Sequence, residues 1–156
     1  MLQTQAHPAV RSWVHLLRAH AATTRALSAE LVAEHGLTIN DYEALLLLSR
    51  AEDRRMRRVD LAGELLLTAS GITRLLDGLE RAGFVERASC ASDRRVTYAV
   101  LTDAGYAKLE AAADSHVAGI RSLFEQRFDE HELEQLAALL SRLPGTATVE
   151  PDDCTP

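Results

Sequence analysis

A mainly α fold with one small β-hairpin and a long helix at either end is what the amino-acid sequence predicts. Three observations predict it. Apolar residues recur at three- and four-residue spacing over 8–35 and again over 102–143, the period of amphipathic helices. Between them, Phe84-Val85-Glu86-Arg87 and Val96–Leu101 are strand-like and flank eight polar residues, ASCASDRR, a hairpin pattern. Helix punctuation falls at regular places: Thr38, Thr68, Thr102 and Asp129 stand where caps belong, and Gly36 and Gly83 where helices stop.

Taken in order, the first helix runs from Pro8 to about His35, with Val10, Val14, Leu17, Ala21, Leu27 and Leu31 along one stripe. Thr38 caps a second, with Asp41 as the capping-box acid; its run Ala44-Leu45-Leu46-Leu47-Leu48 is apolar all round and predicts burial. The Arg-rich stretch 50–58 reads as a loop or short edge strand. A third, short helix spans about Val59–Leu66. Thr68 opens a fourth that continues to Ala82, with Leu75, Leu76 and Leu79 inward and Ser70, Thr73, Arg74 and Asp77 on the polar side. Two short helices across a turn, the second amphipathic, form a helix-turn-helix, and a hairpin directly after it makes the unit winged. Thr102 then caps a long fifth helix to about Phe128, and Asp129 with Glu132 starts a sixth that ends at Leu143-Pro144-Gly145. Three of the four prolines lie in the last 13 residues, so 144–156 is expected to be a disordered tail.

Composition narrows the function. The chain has 156 residues, 47% hydrophobic and 26% charged, with a net charge of −6, ordinary figures for a soluble globular protein. No apolar run is long enough to span a membrane, and the start MLQTQAHPAV carries no signal-peptide pattern, so a cytoplasmic protein is expected. Cys90 and Cys154 cannot form a disulfide framework, and no Cys-His spacing suggests a metal. No nucleophile elbow, phosphate loop, dinucleotide fingerprint or zinc-protease motif occurs, so neither an enzyme nor a cofactor is expected. The charge, however, is unevenly spread. Residues 54–95 hold nine arginines against six acids, +3, while the remainder holds eight basic and 17 acidic residues, −9. A basic middle within acidic flanks is what a nucleic-acid face on an acidic protein looks like.

The residues that would carry such a face follow from position. Ser70, Thr73 and Arg74 occupy the first turn and a half of the fourth helix, where hydroxyls and a guanidinium suit base edges and phosphates. Thr68 caps that helix, and Gly71 would let a backbone approach closely, at about 1 kcal/mol of helix propensity. Asp77 and Glu80, farther along, would repel phosphate. At the hairpin tip lie Asp93, Arg94 and Arg95; an arginine there suits a narrow minor groove. Of Arg54, Arg55, Arg57 and Arg58, Arg58 is the best placed for phosphate contact, and Arg87 on the wing strand is a similar candidate. A solvated surface is the alternative for each. Cys90, flanked by arginines, would be the thiol of a redox switch, and a winged helix used only for protein contacts is a further reading.

The stretch LLLTASGITRLLDGLERAGFVER followed by SDRRVTYAVLTDAG strongly resembles the MarR family of bacterial transcription regulators, over about residues 8–143. The hairpin D-x-R motif falls on Asp93 and Arg95, and the L-T-x-x-G motif on Leu101, Thr102 and Gly105. The resemblance implies a winged helix-turn-helix over 36–101 and a homodimer held by helices over 8–35 and 102–143. It further implies a palindromic operator in double-stranded DNA, with Asp93 orienting Arg95. Many members release DNA when a small phenolic or carboxylic ligand enters a cleft bordered by the first two helices. Here the aromatic and basic residues in those places are Trp13, His20 and Tyr42.

Overall fold

The computed structural model describes residues 7–90 and 95–145. Among the described residues six α-helices and three strands follow one another: α1 (Pro8–His35), α2 (Ile39–Arg50), β1 (Arg55–Arg57), α3 (Arg58–Glu64), α4 (Ala69–Arg81), β2 (Val85–Ser89), β3 (Thr97–Leu101), α5 (Asp103–Glu125) and α6 (Glu130–Leu140). Two compact units share them, one up to Gly119 and one from Ile120.

In the first unit α2, α4 and α5 start where the sequence places a cap, at Thr38, Thr68 and Thr102. Thr38 Oγ1 accepts from the Asp41 amide, and the Asp41 carboxylate accepts from the Thr38 amide in return. Gly36, at φ 68°, closes α1, a left-handed position that glycine takes without steric cost. The buried faces of α2, α3 and α4 then meet. Leu45, Leu48, Leu61 and Ile72 are completely or almost completely buried, and Leu31, Leu76, Leu79, Val85, Leu101 and Leu109 complete the core around them. On α4 the inward residues are Ile72, Leu76 and Leu79; Leu75, expected among them, is half-buried and packs at the margin.

The sheet is antiparallel in the order β1-β3-β2. The hairpin expected from the sequence is present, and 55–57 adds an edge strand that pairs Arg55–Arg57 with Val100–Tyr98. The helix-turn-helix is thereby hydrogen-bonded to the wing through β1. At the other end Thr102 ties the wing to α5. Its amide donates to Phe84 O and its hydroxyl to Gly83 O, and the same oxygen accepts from the Gly105 amide. The L-T-x-x-G motif is thus a structural joint.

In the second unit α5 ends at Glu125, short of Phe128, because Asp129 already opens α6 with a reciprocal cap to Glu132. None of α6 is buried, and the helix stops at Leu140 rather than Leu143. The tail beyond Gly145 lies outside the described residues.

Candidate nucleic-acid interface

The reading head starts from a turn made without glycine. After α3 the chain takes Leu66 into the left-handed region (φ 53°), while the Leu67 amide donates to Ala62 O at 2.9 Å and the Leu66 amide to Gly63 O. This closure reverses the chain so that Thr68 can cap α4, its Oγ1 accepting from the Gly71 amide at 3.1 Å. Ser70 Oγ lies 3.2 Å from the same oxygen. With Ile72, Leu76 and Leu79 fixed in the core, Ser70 and Arg74 project from α4 as exposed side chains.

Thr73 stands differently from its expected role. Its hydroxyl donates to Ala69 O at 2.7 Å and accepts from the Arg58 guanidinium, so its only proton is taken within the protein. It bridges α4 to α3, and Arg58, expected to reach phosphate, is the other end of that bridge. Arg58 also lines, with Arg57 of β1 and the exposed Arg95, a cavity of about 510 Å³ beside Ala69 and Ile72. The neighbours Arg57 and Arg58 are thereby brought together with Arg95, far off in sequence, where α4 begins. Asp93 and Arg94 lie outside the described residues.

Four arginines of the basic middle, Arg57 of the cavity among them, are paired with acids or rings. Arg54 donates to Asp103 at 3.1 Å and stacks 4.3 Å over the Tyr106 ring. Arg55 faces Asp53 and the Tyr98 ring, and Arg57 holds Asp60 at 2.6 Å. Arg87, on β2, reaches back to α4 and donates to both Glu80 (2.5 Å) and Asp77. The Arg57–Asp60 pair is legible as neighbours three residues apart and Arg55–Asp53 as near neighbours in the chain; the rest join residues that only the fold brings near. Cys90 sits at the end of β2, its amide bonded to Val96 O.

The three residues expected at a ligand cleft are not gathered into one. Tyr42 is buried in the core, with its ring 4.5 Å from that of His116. Desolvation there holds the His116 imidazole below its usual 6.5, with the charge of Glu30 acting the other way. Trp13 is 58% exposed, and His20 is exposed within electrostatic reach of Glu43, whose carboxyl burial pushes up. Neither the arginine-lined cavity nor a groove of about 280 Å³ along α1, at Val10, Val14 and His15, is lined by any of the three. Among the described residues no cluster of His, Cys, Asp and Glu could hold a metal ion, and no helix is long and apolar enough to cross a membrane.

A core-anchored helix presenting Ser70 and Arg74, flanked by a three-stranded wing with an exposed arginine just before β3, defines a winged helix-turn-helix DNA-binding transcription regulator. Comparison with known proteins agrees. Residues 35–96 match the model of the MarR family. The HTH-type transcriptional repressor YetL of Bacillus subtilis is 36% identical over 114 residues, 71% of this chain and 68% of that protein. The regulator MhqR of the same species is 31% identical, over 72% and 75%. Among solved structures, Sco3205 of Streptomyces coelicolor, a MarR family regulator in complex with DNA, superposes with a TM-score of 0.76 at 29% identity, covering 83% of this chain and 81% of that one. AbsC, from the same organism, gives 0.75 at 34% identity, covering 86% and 90%. The chain belongs to the MarR family.

Proposed function

We propose that the protein is a cytoplasmic, homodimeric repressor that reads a palindromic operator, with α4 in the major groove and the hairpin tip in the minor groove. The observation that carries this reading is the exposure of Ser70 and Arg74 on α4, together with exposed Arg95 lining the cavity beside Ala69 and Ile72 of the same helix. In it Ser70 and Arg74 read base edges, and Arg95, with Arg94 and Asp93, supplies electrostatic binding and a preference for narrow A·T-rich flanks. Thr68 and Thr73 act by shaping the helix start, Gly71 by allowing close approach, and Arg58 through the arginine-lined cavity. The family relative YetL is itself named a repressor, which supports that direction of control. Relief by a small aromatic or carboxylate ligand rests on the family resemblance, with Trp13 and His20 as the accessible contacts and Tyr42 kept by the core.

Selection from random duplexes identifies the operator, and salt titration of two variants tests the division of labour. Arg95→Ala should weaken operator and random duplex by similar factors and reduce the slope of log K against log[salt] by about one for each phosphate neutralised by that side chain. Arg74→Ala should lose operator affinity preferentially, by about 1–3 kcal/mol for each base edge it reads. An Arg95→Ala protein with unchanged affinity and slope would return the wing to a protein-contact role.

A further inference from the structure

The reading helix contains an electrostatic conflict. Ser70, Arg74, Asp77 and Arg81 recur at intervals of three and four along α4 and so share one stripe, with Glu80 beside it. Asp77 and Glu80 therefore bring two carboxylates to the side that would meet the most highly charged polymer in the cell. Both are open to solvent, with side chains 46% and 25% exposed, so burial does not neutralise them. Among the described residues the cation that reaches both is Arg87, which comes from β2 and forks across the pair, Nε to Glu80 and Nη2 to Asp77.

Resting on the DNA-reading function above, we propose that Arg87 is a positioning residue for operator binding that makes no phosphate contact: it cancels the charge of Asp77 and Glu80 and locks the second half of the reading helix to the wing strand. The chemistry favours arginine over lysine, because a planar fork meets two separate carboxylates at once and a point charge does not. The geometry also couples the two reading elements. β2 is hydrogen-bonded to β3, which begins two residues after Arg95, so the angle between helix and wing is set in part by this fork.

The test compares three full-length proteins on the selected operator and on random duplex: wild type, Arg87→Ala, and Arg87→Ala combined with Asp77→Asn and Glu80→Gln. Removing Arg87 alone should weaken both complexes on the order of tenfold at low salt, with the deficit shrinking as salt screens the exposed carboxylates. The triple variant, with carboxylates and guanidinium all gone, should regain most of that affinity. A triple variant as weak as Arg87→Ala, with its salt slope lowered by about one, would show that Arg87 binds phosphate itself and overturn the proposal. If Arg87→Ala fails to fold, Asp77→Asn with Glu80→Gln in the presence of Arg87 provides the second reading. It should tighten binding to random duplex, and unchanged binding would show that the carboxylates do not face DNA. Wild type that binds no duplex refutes the DNA-binding function itself, a result distinct from each of these.

Discussion

Gly105 is held to glycine by a backbone atom. A Cβ at this position would lie 2.1 Å from Phe84 O and 2.8 Å from a Leu101 methyl; the carbonyl is fixed by its bond from the Thr102 amide and cannot retreat. Gly105→Ala should therefore cost about 3 kcal/mol, the upper end of overpacking penalties, read as a fall in denaturant midpoint at unchanged slope. Gly119 offers a contrast, since a Cβ there would crowd only the end of the Glu30 side chain, which can swing away, and would meet Leu27 at an ordinary 3.5 Å contact. His116 gives a second prediction. Its folded pKa is lowered, so the native state binds fewer protons than the unfolded chain. The stability this contributes is complete above the usual 6.5 and is lost as pH falls through the folded value. Thermal melts from about pH 7.5 to about pH 5.5 should show a steeper decline for wild type than for His116→Phe. Glu43 works in the opposite sense at lower pH and cancels in that comparison. Parallel curves would refute the assignment. The sequence marks Gly105 as part of a motif, but only the approach of Phe84 explains why.

At the scale of elements, the helix-turn-helix turn stores strain. Leu66 adopts φ 53° with 92% of its surface exposed, so it accepts the left-handed penalty without any burial in return. Leu66→Gly should then stabilise the protein by about 1 kcal/mol, as glycine does at this position of a helix end, measured as a higher melting temperature. A loss of stability would mean that the leucine side chain has a partner in the native protein. If operator affinity falls while stability rises, the exposed leucine contributes to the interface, in keeping with strain kept at functional sites. Caps and stops made the elements readable in sequence to within a few residues: Thr38, Thr68 and Asp129 each accept the bond their type predicts. The edge strand was less legible, because its three residues, Arg-Met-Arg, are too few to carry an apolar pattern and become a strand only by pairing with β3.

For the whole molecule, each unit leaves apolar surface uncovered. Along the first half of α1, Trp13, Val14 and Leu17 are 58%, 39% and 49% exposed. In the second unit Phe128, Leu139 and Leu143 are similarly open. A two-fold pair would cover such surfaces and set two reading helices about 34–36 Å apart, one turn of DNA. Light scattering at micromolar concentration should give twice the 17.1 kDa chain mass. Trp13, the sole tryptophan, should move to bluer emission as the dimer forms, and Leu17→Glu should shift the mass toward the monomer. A monomer in the wild type would refute the arrangement.

By itself the sequence determined the order of helices and strands, the burial of Leu45, Leu48, Leu76 and Leu79, and which charged and polar side chains α4 and the wing carry. Those properties rest on period, caps and side-chain chemistry, which act over one or two turns of chain. The tertiary structure alone decided how those residues are deployed. It gave Tyr42 to the core, Thr73 and Arg58 to each other, and Arg87 to two acids on α4. Charge and hydrogen-bonding capacity are legible in one dimension. Their partners are chosen in three, because a guanidinium pairs with whichever acceptor the packed core brings within about 3 Å.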